Sequence, residues 1–178
     1  MDQPISMESQ TQMVHNSSAS EQRLKTRRAE EKDVPMLIEL FRLWHEESAL
    51  SEIPFSPSKV QAMADKALGP NPAHMCAVVE HNGELVGGLY AVIGDYYISD
   101  ETQVTTIHGF FVHPSVRKSV LSGKVALRLF KAAKQWSEHM GSSYLLFHVT
   151  SGVKPAETDR FLRKLGCKPL GGNYAIKA

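Results

Sequence analysis

His108 lies in the run Ile107-His-Gly-Phe-Phe-Val-His-Pro114, where an imidazole can exchange a proton near neutral pH. On a strand, two-residue alternation puts His108 on one face with Phe110 and Val112. The position equally suits a half-buried histidine bonded to backbone. His113 is five residues further on, so on a regular strand the two rings point to opposite faces and do not form one metal site. Beyond it, Arg117, Lys118 and Lys124 gather positive charge ahead of a helical segment. Similar clusters occur at Arg23–Arg28 and around Arg160, Arg163 and Lys164, and such clusters are most often solvated faces. Cys76 and Cys167 are far apart and form no metal-type CxxC pair, which suits free thiols in a cytoplasmic protein. Cys167 suits a small packing position better than a nucleophile, since no His/Asp arrangement surrounds it. The chain has no Walker phosphate loop, no H-E-x-x-H zinc pair and no G-x-S-x-G elbow.

The elements that must position these residues follow from hydrophobic period and turn chemistry. With 178 residues, 42% of them hydrophobic, the chain suits one domain with a real core. A net charge of +1 argues against a general nucleic-acid binder. No apolar run is long enough to span a membrane, and the N-terminus does not resemble a secretory signal. Residues 1–22 are polar and without period, and are expected to be a disordered tail; the domain is expected over 23–178. A strand is predicted at Leu24–Ala29. A helix follows, with Pro35 in its first turn and Val34, Leu37, Phe41 and Trp44 on one face. The stretch Ser48–Phe55 breaks that period, and a second helix runs to Leu68 before Gly69-Pro70. Strands are predicted at His74–Glu80 and Glu84–Ile93 around an Asn82-Gly83 hairpin turn, and at Val104–Val112. A long helix carries Val125, Leu129, Ala133, Trp136 and Met140 on one face and stops at Gly141. Strand Tyr144–Val149, helix Ala156–Leu165 and strand Leu170–Ile176 complete an α/β order of β-α-α-β-β-β-α-β-α-β.

This order, together with Val112-His-Pro114 followed by Arg117 and the long helix, resembles the Gcn5-related N-acetyltransferase (GNAT) family. The segment Phe161-Leu-Arg-Lys-Leu-Gly-Cys-Lys168 is similar to that family's closing "F-Y-x-K-x-G-F" helix, and Gly171-Gly-Asn-Tyr174 to its last hairpin. The similarity runs from about Leu24 to the C-terminus and is nearest to divergent bacterial or phage-type members. It implies a mixed central sheet flanked by helices and transfer of an acetyl group from acetyl-coenzyme A to an amine of a small molecule or protein. The alternative is a catalytically weak or inactive member that binds or regulates a protein partner. A homodimer through the edge strand Leu170–Ile176 is also possible on this pattern. The implied location is the cytoplasm, that of the host if a phage encodes the chain.

The resemblance also implies roles for individual residues. Phe111 and Val112 would lie along the pantetheine arm. Arg117, Lys118, Ser119, Ser122, Gly123 and Lys124 would surround the pyrophosphate where the long helix begins, since a helix N-terminus offers amides and a positive dipole end. The usual R-x-x-G-x-G/A loop is altered here, because Gly123 is the first glycine after Arg117. Counting from Pro114 and counting back from Gly141 disagree by four residues, which implies an enlarged loop or an extra helical turn. The tyrosine expected in the closing helix is Leu162, and Pro155 stands near the place of an expected asparagine. His108 is then the candidate base and Tyr174 the candidate acid. Trp44, Glu47 and Tyr97 mark the expected acceptor rim, although residue by residue a core aromatic or a solvated helix end is the commoner outcome.

Overall fold

The computed structural model describes residues 24–149 and 154–171. The chain runs as β1 (Lys25–Arg28), a 3-10 turn, α1 (Val34–Glu46), α2 (Pro57–Leu68), β2 (His74–His81) and β3 (Glu84–Asp95). It continues as β4 (Gln103–Val112), a second 3-10 turn (Pro114–Val116), α3 (Val120–His139), β5 (Tyr144–Phe147) and α4 (Pro155–Lys164). Proline in the first turn opens α1, α2 and α4, where a missing N–H costs nothing. Ser56 caps α2 through Lys59 N–H, and Ser119 caps α3 through Leu121 N–H. Asn82 and Gly83 both take positive φ, as a tight two-residue hairpin between β2 and β3 requires. Leu170 and Gly171 are not in a strand, and the rest of the expected last strand, like residues 1–22, lies outside the described residues.

The strands form one sheet in the order β1-β2-β3-β4-β5. The first four are antiparallel neighbours, and β5 joins β4 in parallel. A sheet buried on both faces suits the unbroken apolar runs of β2 and β3. On one face α3 sets Val125, Leu129 and Ala133, all fully buried, against Val79, Leu89 and Ile107. The helix can approach this closely because β3 carries Gly87, where a Cβ would stand 2.6 Å from Val125 Cγ1. A buried hydrogen bond from Ser137 Oγ to Thr105 Oγ1 (2.9 Å) ties α3 to β4. On the other face α1 and α2 bury Leu37, Phe41, Val60 and Ala67 against Cys76, Val78 and Tyr90. Burial pushes the Cys76 thiol up to about 12, so it packs as an inert apolar group. Among the described residues no helix is long and apolar enough to cross a membrane, and no group of three or more His, Cys, Asp or Glu could hold a metal ion.

Candidate functional site

The sheet forks at its β4–β5 edge. Pairing runs from Val104 opposite Tyr144 to Ile107 opposite Phe147, where β5 ends while β4 continues to Val112. An aromatic wedge stands at the fork. The Phe147 ring stacks on Phe130 of α3 and meets Phe110 edge-on, each with centroids 5.8 Å apart. His113 N–H donates to Val86 carbonyl on β3 at 2.9 Å, so by alternation the backbone groups of Phe110 and Val112 point away from β3, toward the opened side. Among the described residues, strand β4 thus presents hydrogen-bonding groups that no neighbouring strand takes up.

The register also slips at this point. Tyr90 stands opposite Gly109 and Ala91 opposite Ile107, leaving His108 as the extra residue of a β-bulge. Thr105 and Ile107 face α3 before the bulge, and Phe110 and Val112 face it afterwards. His108 therefore lies on the α1–α2 face, opposite to Phe110 and Val112, which corrects the shared face expected from regular alternation. Gly109 makes the bulge possible, since a Cβ there would stand 2.6 Å from Cε1 and 2.8 Å from Cζ of Phe41. Gly109→Ala is expected to cost about 1–3 kcal/mol through overpacking, read as a lowered urea midpoint. An unchanged midpoint would mean that Phe41 swings aside freely.

On the α1–α2 face His108 borders a cleft of about 480 Å³. Phe41 and Trp44 of α1, Phe55 of the following loop, Met63 of α2 and Tyr90 of β3 form most of its wall. Phe41 and Trp44 meet edge-on at 5.9 Å, and His45 tilts against Phe55 at 5.8 Å. Tyr90 hydroxyl is hydrogen-bonded to His74 Nδ1 at 2.7 Å, and its ring lies 6.2 Å from that of His108. Burial holds the Tyr90 hydroxyl above the ordinary tyrosine range, so it keeps its proton. His108 is held below the ordinary histidine range, first by burial and then by the nearby His148 and His74 rings. At neutral pH its imidazole is therefore neutral and able to accept a proton.

The segment beyond β4 resolves the length disagreement seen in the sequence. Ser122, Gly123 and Lys124 lie within the first turns of α3, so the additional residues form helix, not a longer loop. Ser119 Oγ accepts from Leu121 N–H and its carbonyl accepts from Ser122 N–H, so part of the helix start is already satisfied internally. Gly123 has open space where a Cβ would be, and Lys118 and Lys124 are exposed. Arg117 is held on three sides. Its Nε donates to Val112 carbonyl (2.7 Å), its Nη1 pairs with Glu47 (2.7 Å), and its guanidinium lies 4.6 Å from the Phe111 ring centroid. It clasps the end of α1 to β4 rather than reaching toward the α3 start.

The residues expected at an acceptor rim separate. Trp44 lines the cleft with His108, whereas Glu47 is engaged by Arg117. Tyr97 is 84% exposed and packs on Tyr96 in the β3–β4 loop, away from the cleft. Tyr174 lies outside the described residues. Tyr90, His45 and Met63 were not singled out by sequence; each sits in an apolar strand or helix run, where a lining residue looks like core.

The family model described as Acetyltransferase (GNAT) family matches residues 37–166. No curated protein matches the sequence. Among solved structures, a transcriptional regulator from Bacillus halodurans C-125 superimposes with a TM-score of 0.67 at 17% identity, covering 88% of this chain and 100% of the other. AAC(6')-Iy in complex with a bisubstrate analogue gives 0.65 at 17% identity, covering 88% and 98%. Glucosamine-6-phosphate N-acetyltransferase from Arabidopsis thaliana gives 0.61 at 16% identity, covering 87% and 98%.

Proposed function

This chain belongs to the GNAT acetyltransferase family, and from that premise we propose that it transfers an acetyl group from acetyl-coenzyme A to an amine. The observation that carries the proposal is a meeting of two features at one residue. The opened edge of β4 begins after Ile107, and the aromatic cleft on the α1–α2 face ends at His108. A donor held along the edge and an acceptor held in the cleft would face each other across the bulge.

The residues present fit the coenzyme at both ends. The outward backbone groups of Phe110 and Val112 suit a pantetheine amide arm, though Val112 carbonyl already receives Arg117 Nε. At the start of α3, the open space beside Gly123 and the charges of Lys118 and Lys124 suit a pyrophosphate, with Ser119 and Ser122 beside it. When bound, acetyl-coenzyme A supplies the activated acetyl group. His108, neutral at its working pH, takes the proton that the acceptor ammonium must lose before its nitrogen can attack. The rings of Phe41, Trp44 and Phe55 wall the cleft side, while the Arg117–Glu47 clasp holds α1 in register with β4. Tyr174 is retained as the candidate donor that reprotonates the departing thiolate.

Calorimetric titration of the full chain with acetyl-coenzyme A tests the reading. Binding is expected, weakened by roughly tenfold in Lys124→Ala through loss of a charge-assisted contact. No binding by the intact chain would overturn the coenzyme assignment. A second reading, a GNAT fold that captures a partner without turnover, is favoured by the occupied Val112 carbonyl and by Leu162 in place of the family's tyrosine. Steady release of coenzyme A thiol in the presence of an amine would eliminate it.

A further inference from the structure

The acceptor class follows from what lines the cleft. Phe41, Trp44, Phe55, Met63 and Tyr90 present rings and a thioether, and among the described residues no carboxylate lines the walls. The polar groups among them are largely engaged within the protein. His45 Nε2 donates to Ile53 carbonyl at 2.5 Å, Tyr90 hydroxyl is bonded to His74, and Ser56 Oγ accepts from Lys59 N–H. What remains is the His108 imidazole at one end and the exposed Lys59 ammonium, which has no ion pair among the described residues.

Resting on the acetyl-transfer reading, we propose that the acceptor is a small molecule bearing a single amine on an aromatic body, an arylalkylamine, and not a polycation. One ammonium needs no permanent counter-ion here, because before reaction it loses its proton through the neutral imidazole of His108, which is partly open to solvent and passes the proton on to water. Until then the Trp44 ring, which lines the cleft, can hold it by cation–π attraction. A second or third ammonium on the same molecule would stay charged. It would lose water in a cleft whose described lining holds no carboxylate and would meet Lys59, a cost that nothing in that lining offsets. The aromatic body gains what a polycation loses, since burying a ring against Phe55 and Met63 removes apolar surface from water. A volume of about 480 Å³ lies in the range of pockets that enclose small ligands.

The test is thiol release by the full chain with acetyl-coenzyme A and tryptamine, phenethylamine, spermidine or kanamycin. The kcat/KM for tryptamine is expected to exceed that for spermidine and kanamycin at least tenfold. Trp44→Ala should erase most of that preference, and Trp44→Phe should restore it. The exposed position of Lys59 makes Lys59→Glu a safe variant for the fold, and it is expected to raise kcat/KM for spermidine at least fivefold. Spermidine or kanamycin turned over as well as tryptamine would overturn the acceptor class while leaving acetyl transfer intact. If no amine is turned over, calorimetric titration with tryptamine decides separately. Binding lost in Trp44→Ala would uphold the cleft's selectivity while acetyl transfer fails, and no binding by the intact chain would overturn the arylalkylamine assignment.

Discussion

His108→Ala is expected to slow acetyl transfer by roughly 10²–10⁴-fold, the range that a positioned general base supplies, while the protein unfolds at an unchanged urea concentration. The side chain stands at the edge of the cleft, partly open to solvent and not packed in either core, so its truncation removes a proton acceptor and little else. The sign of the pH dependence follows from the same environment. Burial, then His148 and His74, depress the basicity of His108, so the neutral, proton-accepting form persists to lower pH than in an ordinary histidine. The acid limb of kcat/KM should therefore fall below the ordinary histidine value of about 6.5. That limb should vanish in His108→Ala. It should move to higher pH in His148→Ala, which removes a neighbour that disfavours the imidazolium. Activity in His108→Ala equal to that of the parent would leave the histidine as no more than a bulge residue.

Asp33→Asn is expected to destabilise the fold by about 3 kcal/mol, because it leaves a nearly buried guanidinium without its main counter-charge. The Arg27 and Asp33 side chains are 12% and 6% exposed, and two hydrogen bonds of 2.5 and 2.9 Å join them. Asp33 Oδ2 also accepts from Glu30 N–H at 2.8 Å, which fixes the turn into α1. Glu80 remains near Arg27 at 3.3 Å, so the loss should sit at the low end for a broken buried pair. The Arg27 guanidinium holds the Asp33 carboxyl below the usual carboxylate range, against the opposing pull of burial. A depressed folded value means that this stabilisation is fully present above the unfolded value of about 3.9 and is lost as pH falls through the folded one. Urea unfolding from pH 7 downward should show that acid limb in the parent and a reduced limb in Asp33→Asn. A loss below about 1 kcal/mol would show that Glu80 alone satisfies Arg27.

Much of the architecture was legible because it rests on local rules. The Leu37–Phe41–Trp44 face, the prolines opening α1 and α2, and Asn82-Gly83 each act over a few residues, and each appears in the fold where the pattern put it. The helix beginning at Val120 was legible only as an arithmetic conflict. Counting residues cannot distinguish a longer loop from another turn, whereas the Ser119 cap settles it. In the sequence Arg117 stands as part of a charge cluster with Lys118 and Lys124. Its partners Glu47 and Val112 come from α1 and β4, and no spacing rule connects them.

His108 marks the boundary between the two kinds of information. Its residue type and its place in an apolar strand beside a turn are local facts, and they identified a group able to exchange a proton. Its face depended on a register slip against β3, which follows from Phe41 closing over Gly109 from a helix far away in sequence. Alternation assumes unbroken pairing, and only the packed sheet reveals where pairing breaks. By itself the sequence determined the order of elements through α4 and the residues capable of chemistry. The tertiary structure decided which of them share a cleft, because a bulge, a fork and an aromatic wall arise from contacts between distant segments.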